Sequence, residues 1–133
     1  MNVHDPVYIA RKALVKSYLG RTVVIEMDRP IGERHPKHPE IVYPINYGYI
    51  PGVLGGDGEE LDVYLLGVDQ PVETYTGRIV GIVHRENDVE DKLIMAPEGV
   101  TYSAEQMAVA IRFQEQYYRT HVESLTEKKT KCD

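Results

Sequence analysis

Between Gly56 and Val63 the chain reads GDGEELDV, with four carboxylates (Asp57, Glu59, Glu60, Asp62) inside six residues and glycines on both sides of the first. Carboxylates crowded this closely repel one another and lose hydration near a core, so a positive partner is expected. If a strand begins near Glu60, alternation puts Leu61, Val63 and Leu65 on one face and Asp62 and Tyr64 on the other. The glycine turn can then fold back so that Asp57, Glu59 and Asp62 aim at one point. Oxygen donors with no cysteine or histidine among them select a hard divalent cation, Mg²⁺ being the usual choice. The spacing is not that of an EF-hand, whose loop ends in a glutamate twelve residues from its start. The competing reading is a solvated acidic turn at the start of a strand. A second acidic run, Glu86-Asn87-Asp88-Val89-Glu90-Asp91, precedes Lys92 and another apolar segment. Alone it reads as a hairpin turn. Two such clusters at strand ends of one small barrel could meet at a single mouth.

The elements that must carry these groups follow from periodicity and turn chemistry. Asp5-Pro6 reads as an N-cap with proline at the first helical position, and Ile9, Ala13 or Leu14, and Tyr18 follow at helical spacing, so residues 6–18 are expected to be helical. TVVIEMD (22–28) is strand-like, and RPIGERHPKHPE (29–40) is a loop. Residues 41–54 look extended, and strands are expected over 61–67, 76–85 and 92–96. Ser103-Ala104-Glu105-Gln106 fits a capping box, and Met107, Ile111, Gln114 or Glu115, Tyr118 and Val122 continue at three- and four-residue steps, predicting a long helix over 104–123. The polar tail 124–133 is expected to fray. About five short strands with flanking helices predict an α+β, β-dominated single domain over 1–133, built as a small closed barrel with an N-terminal helix and a long C-terminal one.

Composition narrows the function classes. With 133 residues the chain can bury a core, and its net charge of −6 argues against a nucleic-acid footprint. The single cysteine, Cys132, argues for a reducing compartment, and no apolar run is long enough for a membrane span. MNVHDPVYIARK does not read as a signal peptide, because Asp5 and Pro6 interrupt it. The expected location is cytoplasmic. Ten of eleven aromatics are tyrosine, which can donate a hydrogen bond where phenylalanine cannot.

Tyr43-Pro44-x-Asn46-Tyr47-Gly48-Tyr49-Ile50, followed by Asp57-Gly58-x-x-Leu61-Asp62-Val63, resembles the core signature of the soluble inorganic pyrophosphatases. Glu90-Asp91-Lys92-Leu93-Ile94 resembles that family's D-x-K-L-V segment, and Phe113-Gln114-Glu115-Gln116-Tyr117-Tyr118 its F-F-E-H-Y-K segment. The resemblance implies a five-stranded OB-type barrel, Mg²⁺-dependent hydrolysis of pyrophosphate to two phosphates, and a homo-oligomer. Residue by residue, it implies Asp57, Glu59 and Asp62 as metal ligands and catalytic carboxylates, with Glu59 placed to take a proton from the attacking water. Glu90 and an acid within Glu86–Asp88, taken as Asp88, complete the ligand set. Tyr47, Lys92 and Tyr117 would hold phosphate, as would Arg29 if Met27-Asp28-Arg29 matches the family's V-D-R. The other register makes Val24 the replacement of a family lysine and Glu26 the acid.

The departures from the family pattern are specific. Glu59, Glu60 and Glu90 replace aspartate, proline and aspartate. The helix lysine is Tyr118, with Arg119 one step further round a helix. Arg34, Lys37 or the histidines of RHPKHP (34–39) are candidates for substitute cations. These changes keep two further readings open: a relative acting on another phosphoanhydride, or a barrel that binds a phosphate ligand or partner without turnover.

Overall fold

A computed structural model of the chain describes residues 6–55, 58–86 and 90–125. The element order is α1 (Pro6–Ser17), β1 (Thr22–Arg29), β2 (Asn46–Leu54), β3 (Glu60–Leu65), β4 (Thr74–Arg85), β5 (Lys92–Ala96), α2 (Ala104–Glu115) and β6 (Thr120–Ser124). Five strands close in the order β1-β2-β3-β5-β4, and β4 returns to β1 through the Thr22↔Arg78 to Glu26↔Thr74 register. All these pairings are antiparallel except β3 with β5, where Val63 lies beside Leu93. The expected closed OB-type barrel is therefore the observed one.

Side-chain alternation sorts the barrel into two packed layers. Leu61, Val63 and Leu65 join Ile25, Ile50, Ile79, Ile82, Leu93 and Met95 in one buried cluster, to which Val15 and Tyr18 of α1 belong. The other face of β3, β4 and β5 carries Tyr64, Val80, Val83, Ile94 and Ala96, covered by Met107 and Ile111 of α2. Both faces of KLIMA are thus buried, which is why that strand is apolar throughout after its first residue. Ser103 caps α2 and forms the expected box with Gln106.

The long C-terminal helix is the main correction. α2 ends at Glu115, and Thr120–Ser124 forms β6, antiparallel to the end of β4 from Gly81↔Ser124 to Arg85↔Thr120. The helical spacing of Tyr118 and Val122 was accidental. Thr120, His121 and Val122 are poor helix formers, and β4 offers them a free edge. Ser124, assigned to the tail, is buried in this strand and donates to the carbonyl of Tyr102. Residues 126–133 of the tail lie outside the described residues.

Asp91 fastens α1 to the barrel. It is buried, pairs with Lys12 of α1, lies 3.5 Å from His84 Nδ1 and accepts the Arg85 N–H at 3.2 Å. Among the described residues no helix is long and apolar enough to cross a membrane.

Two outcomes test this arrangement. At Gly48 an added Cβ would stand 2.1 Å from the Glu26 carbonyl oxygen, because β1 crosses β2 there. Gly48→Ala should cost about 3 kcal/mol in denaturant unfolding. The His84–Asp91 pair should also give stability a pH signature. Hydrogen bonding to Asp91 raises the His84 pKa against the effect of burial. Burial raises that of Asp91, but bonds from His84 and Lys12 outweigh it and bring it down. The raised histidine contributes fully below its ordinary pKa and loses its contribution as pH climbs through the folded value. The lowered aspartate contributes above its ordinary pKa and loses its contribution as pH falls through the folded one. His84→Gln should therefore lower the melting temperature near pH 5.5 and leave it little changed at pH 9.

Candidate active site

The outer face of β2, β3 and β5 brings the predicted residues together. Tyr47 pairs with Tyr64, and Tyr49 with Asp62, across β2 and β3. The parallel β3–β5 register, with Val63 beside Leu93, sets Asp62 next to Lys92. A register shift between Met27 and Arg29 brings Arg29 opposite Tyr47. Of the two alternative registers, it is Arg29 that stands beside Tyr47, whereas Glu26 accepts from the Tyr49 hydroxyl at 3.0 Å.

Lys92 is the hub. Its side chain is 2 % exposed, and Nζ donates to Tyr47 Oη at 2.6 Å, Asp62 Oδ2 at 2.9 Å and Glu90 Oε1 at 2.6 Å. Tyr47 in turn donates to Asp62 Oδ2 at 2.8 Å. Burial works against the ammonium, but the charges of Asp62 and Glu90 outweigh it and hold its pKa above the ordinary lysine value. Burial, then the Asp62 charge, pushes the Tyr47 hydroxyl well up. Lys92 stays charged and Tyr47 stays protonated through the neutral range.

A second set of polar groups lies behind. Arg29 donates to Tyr43 Oη at 2.6 Å, and Tyr43 donates to Gln114 Oε1. Gln114 donates to Tyr64 Oη at 2.7 Å, and Tyr64 donates to Glu115 Oε2 at 2.5 Å. Arg85 clamps both oxygens of Glu115, at 3.0 and 2.8 Å, and reaches Glu90 Oε1 at 3.1 Å. Arg29 is thereby joined to Glu90, and through Lys92 to Asp62, by an unbroken run of hydrogen bonds. Arg85 was missed in the sequence, which marks Gln114 and Glu115 only as positions on the helix stripe, not as part of the site. Only the buried face of α2 and the aromatic richness hinted at them.

The surface above this network is divided by charge. A cleft of about 750 Å³ is lined by Arg29, Tyr47, Arg85, Lys92, Tyr117 and the His35–His38 loop, among others. A hollow of about 430 Å³ is lined by Asp28, Tyr49, Glu59, Glu60, Asp62 and Glu90. Asp62 and Glu90 line both. Of the candidate substitute cations, Lys37 lines the cleft, whereas Arg34 donates to the carbonyl of Pro39. Tyr117 lies in the turn after α2, not in the helix, and is 65 % exposed. Tyr118 lays its ring 3.6 Å from the Arg85 guanidinium carbon. The Arg119 carbonyl accepts from the N–H of Glu86.

The acidic hollow fits a hard divalent cation by its donor set, which is carboxylate with one phenol. Among the described residues no three His, Cys, Asp or Glu side chains form a ready-made metal cluster. Glu59, Asp62 and Glu90 line one hollow without closing into such a cluster, and Asp57 and Asp88 lie outside the described residues. Glu86 faces elsewhere, 3.0 Å from His121 Nδ1.

A sequence model of the family described as inorganic pyrophosphatase matches residues 19–129. The chain belongs to the inorganic pyrophosphatase family. An inorganic pyrophosphatase from Neisseria meningitidis is 42% identical over 59 residues, covering 41% of this chain and 33% of that protein. One from Saccharolobus solfataricus is 35% identical over 82 residues, covering 59% of this chain and 44% of its own. The chain therefore spans less than half the length of these curated relatives. Among solved structures, the inorganic pyrophosphatase of Ehrlichia chaffeensis superposes with a TM-score of 0.61 at 17% identity, over 84% of this chain and 91% of that one. That of Neisseria gonorrhoeae gives 0.59 at 24% identity, over 84% and 87%. At these identities the structures establish a shared fold.

The cationic cleft predicts anion binding without metal. Inorganic phosphate at a hundredfold excess over its Kd should stabilise the protein by about 2.7 kcal/mol in thermal unfolding. Arg29→Met and Tyr47→Phe should each reduce that shift by more than half at the same phosphate concentration.

Proposed function

We propose that the protein hydrolyses inorganic pyrophosphate to two phosphates with a divalent cation, Mg²⁺ in the first instance. The observation that carries this reading is that Asp62 and Glu90 line both the acidic hollow and the cationic cleft. An anion in the cleft and a cation in the hollow would then share one wall of carboxylates. Glu59, Asp62 and Glu90 would hold the metal, with Asp57 and Asp88 as the remaining ligands. The bound cation supplies charge stabilisation and a water of lowered pKa.

The chain's own residues do the rest. Arg29 and Tyr117 would bind the diphosphate directly, and Lys92 and Tyr47, whose protons are directed at Asp62, Glu90 and each other, would turn to it once a cation engages those carboxylates. Glu59, exposed at the rim of the hollow, would take the proton from the attacking water. The water oxygen bonds to one phosphorus, the bridging P–O bond breaks, and its electron pair leaves with the second phosphate against Lys92 and Arg29. The reading includes a cytoplasmic location, in keeping with the single cysteine, and the homo-oligomer that the family resemblance implies.

One observation favours a second reading, a larger phosphoanhydride as substrate. The cleft volume of about 750 Å³ lies in the ~300–1,000 Å³ range of organic-ligand pockets, and Tyr117 offers an exposed ring at its rim. Phosphate release measured with Mg²⁺ decides between the two. Pyrophosphate should be turned over faster than nucleoside diphosphates, EDTA should abolish release, and Asp62→Asn should lower kcat roughly 100-fold. Faster release from a nucleoside diphosphate would favour the second reading. Undiminished turnover in Asp62→Asn would remove the site assignment.

A further inference from the structure

Arg85 has no part in the reading above, yet it is among the most constrained side chains in the molecule. It ends β4 with its side chain 3 % exposed. Nε and Nη2 form a two-point clamp on Glu115, which is itself fixed by Tyr64. One face of the guanidinium is covered by the Tyr118 ring. The barrel, α2 and the turn after α2 therefore each fix its position. Its Nη1 is delivered to Glu90 Oε1, the oxygen that Lys92 also holds.

We infer that Arg85 is a positioning residue for Glu90: it fixes that carboxylate at the boundary of the two hollows, so that the acidic hollow is organised for a divalent cation. The inference rests on the metal-dependent reading above. Lys92 holds Glu90 Oε1 from β5, and Arg85 adds a second donor to the same oxygen from β4, so that oxygen is fixed between two cations on neighbouring strands. A planar guanidinium can clamp Glu115 and reach Glu90 together; an ammonium at the same place cannot do both. Because Arg85 and Glu115 are a neutral pair, the effect on a cation in the hollow is one of orientation rather than of charge. Groups that orient a ligating carboxylate typically change metal affinity by 10- to 100-fold.

The test is a calorimetric titration of Mn²⁺ into the metal-free full chain without substrate, paired with the Mg²⁺ dependence of pyrophosphate turnover. Arg85→Met combined with Glu115→Gln preserves net charge and leaves an acceptor for the Tyr64 hydroxyl. Arg85→Lys preserves the charge but not the fork. Ile79→Ala, a core change at the far end of the β4–β5 pairing from Lys92, controls for general loosening. The expected result is a Kd for Mn²⁺ raised 10- to 100-fold in the first two variants and unchanged in the third. The Mg²⁺ concentration for half-maximal turnover should move in parallel, and turnover at saturating Mg²⁺ should fall less. An unchanged Kd in the double variant, or wild-type affinity in Arg85→Lys, overturns the assignment. Tight Mn²⁺ binding by the wild type without pyrophosphate turnover would overturn the hydrolase reading alone, and the Kd comparison would still decide the role of Arg85. Absence of Mn²⁺ binding by the wild type overturns both.

Discussion

A buried ammonium held by two carboxylates and a phenol is the constraint on which the site depends. Lys92 Nζ meets Asp62, Glu90 and Tyr47 within 2.9 Å, on a side chain that is almost wholly inside the protein. A charge so placed is tolerable only when its partners are fixed, because removing one of them leaves an uncompensated ion. The barrel fixes them. The parallel pairing of β3 with β5 is the step in the closure that sets Asp62 beside Lys92. The two carboxylates that neutralise Lys92 also line the acidic hollow, so the same two side chains border a protein cation and that hollow.

Behind that hub the polar groups form a closed account. Tyr43, Tyr47 and Tyr64 are buried and stand with ring centroids 5.5 and 5.0 Å apart in sequence order. Each hydroxyl both donates and accepts. Among the described residues no buried side-chain nitrogen or oxygen lacks a partner. A fully satisfied network of this kind specifies one arrangement, since a half-satisfied one in a low-dielectric interior is costly. The abundance of tyrosine is explained in part by this network: phenylalanine at the same three positions would fill the space but remove the hydroxyls to which Arg29, Lys92 and Gln114 donate and from which Gln114, Asp62 and Glu115 accept.

The sequence made the barrel and the hub legible for a definite reason. Leu61, Val63 and Leu65 alternate with Asp62 and Tyr64, so one short stretch declares both the core face and the site face. The Y-P-x-N-Y-G-Y-I segment, read as a family resemblance, located Tyr47 and its strand. The end of α2 was not legible. Tyr118 and Val122 continue the helical spacing of Met107 and Ile111, and only the exposed edge of β4, a tertiary feature, turns Thr120–Ser124 into a strand. Arg85 was equally hidden. Arginine near an acidic turn reads as a surface residue until Glu115, thirty positions later, is folded against it. Asp91 gave no sign of its partner on α1, since Lys12 lies far away in sequence.

This family member combines a recognisable core with altered surroundings. Glutamates stand where the signature has aspartates, and an aromatic turn follows a short helix where the pattern carries a lysine. Longer acidic side chains reach further from the backbone, and a guanidinium contacts one of them, Glu90. The central claim, that one wall of carboxylates serves a metal on one side and a diphosphate on the other, is tested most directly by a crystal structure grown with Mn²⁺ and a non-hydrolysable diphosphate. Anomalous scattering should place Mn²⁺ in the acidic hollow against Asp62 and Glu90, with the diphosphate across them in contact with Lys92, Tyr47 and Arg29. Mn²⁺ bound away from both carboxylates, or a diphosphate seated outside the cleft, would contradict the account.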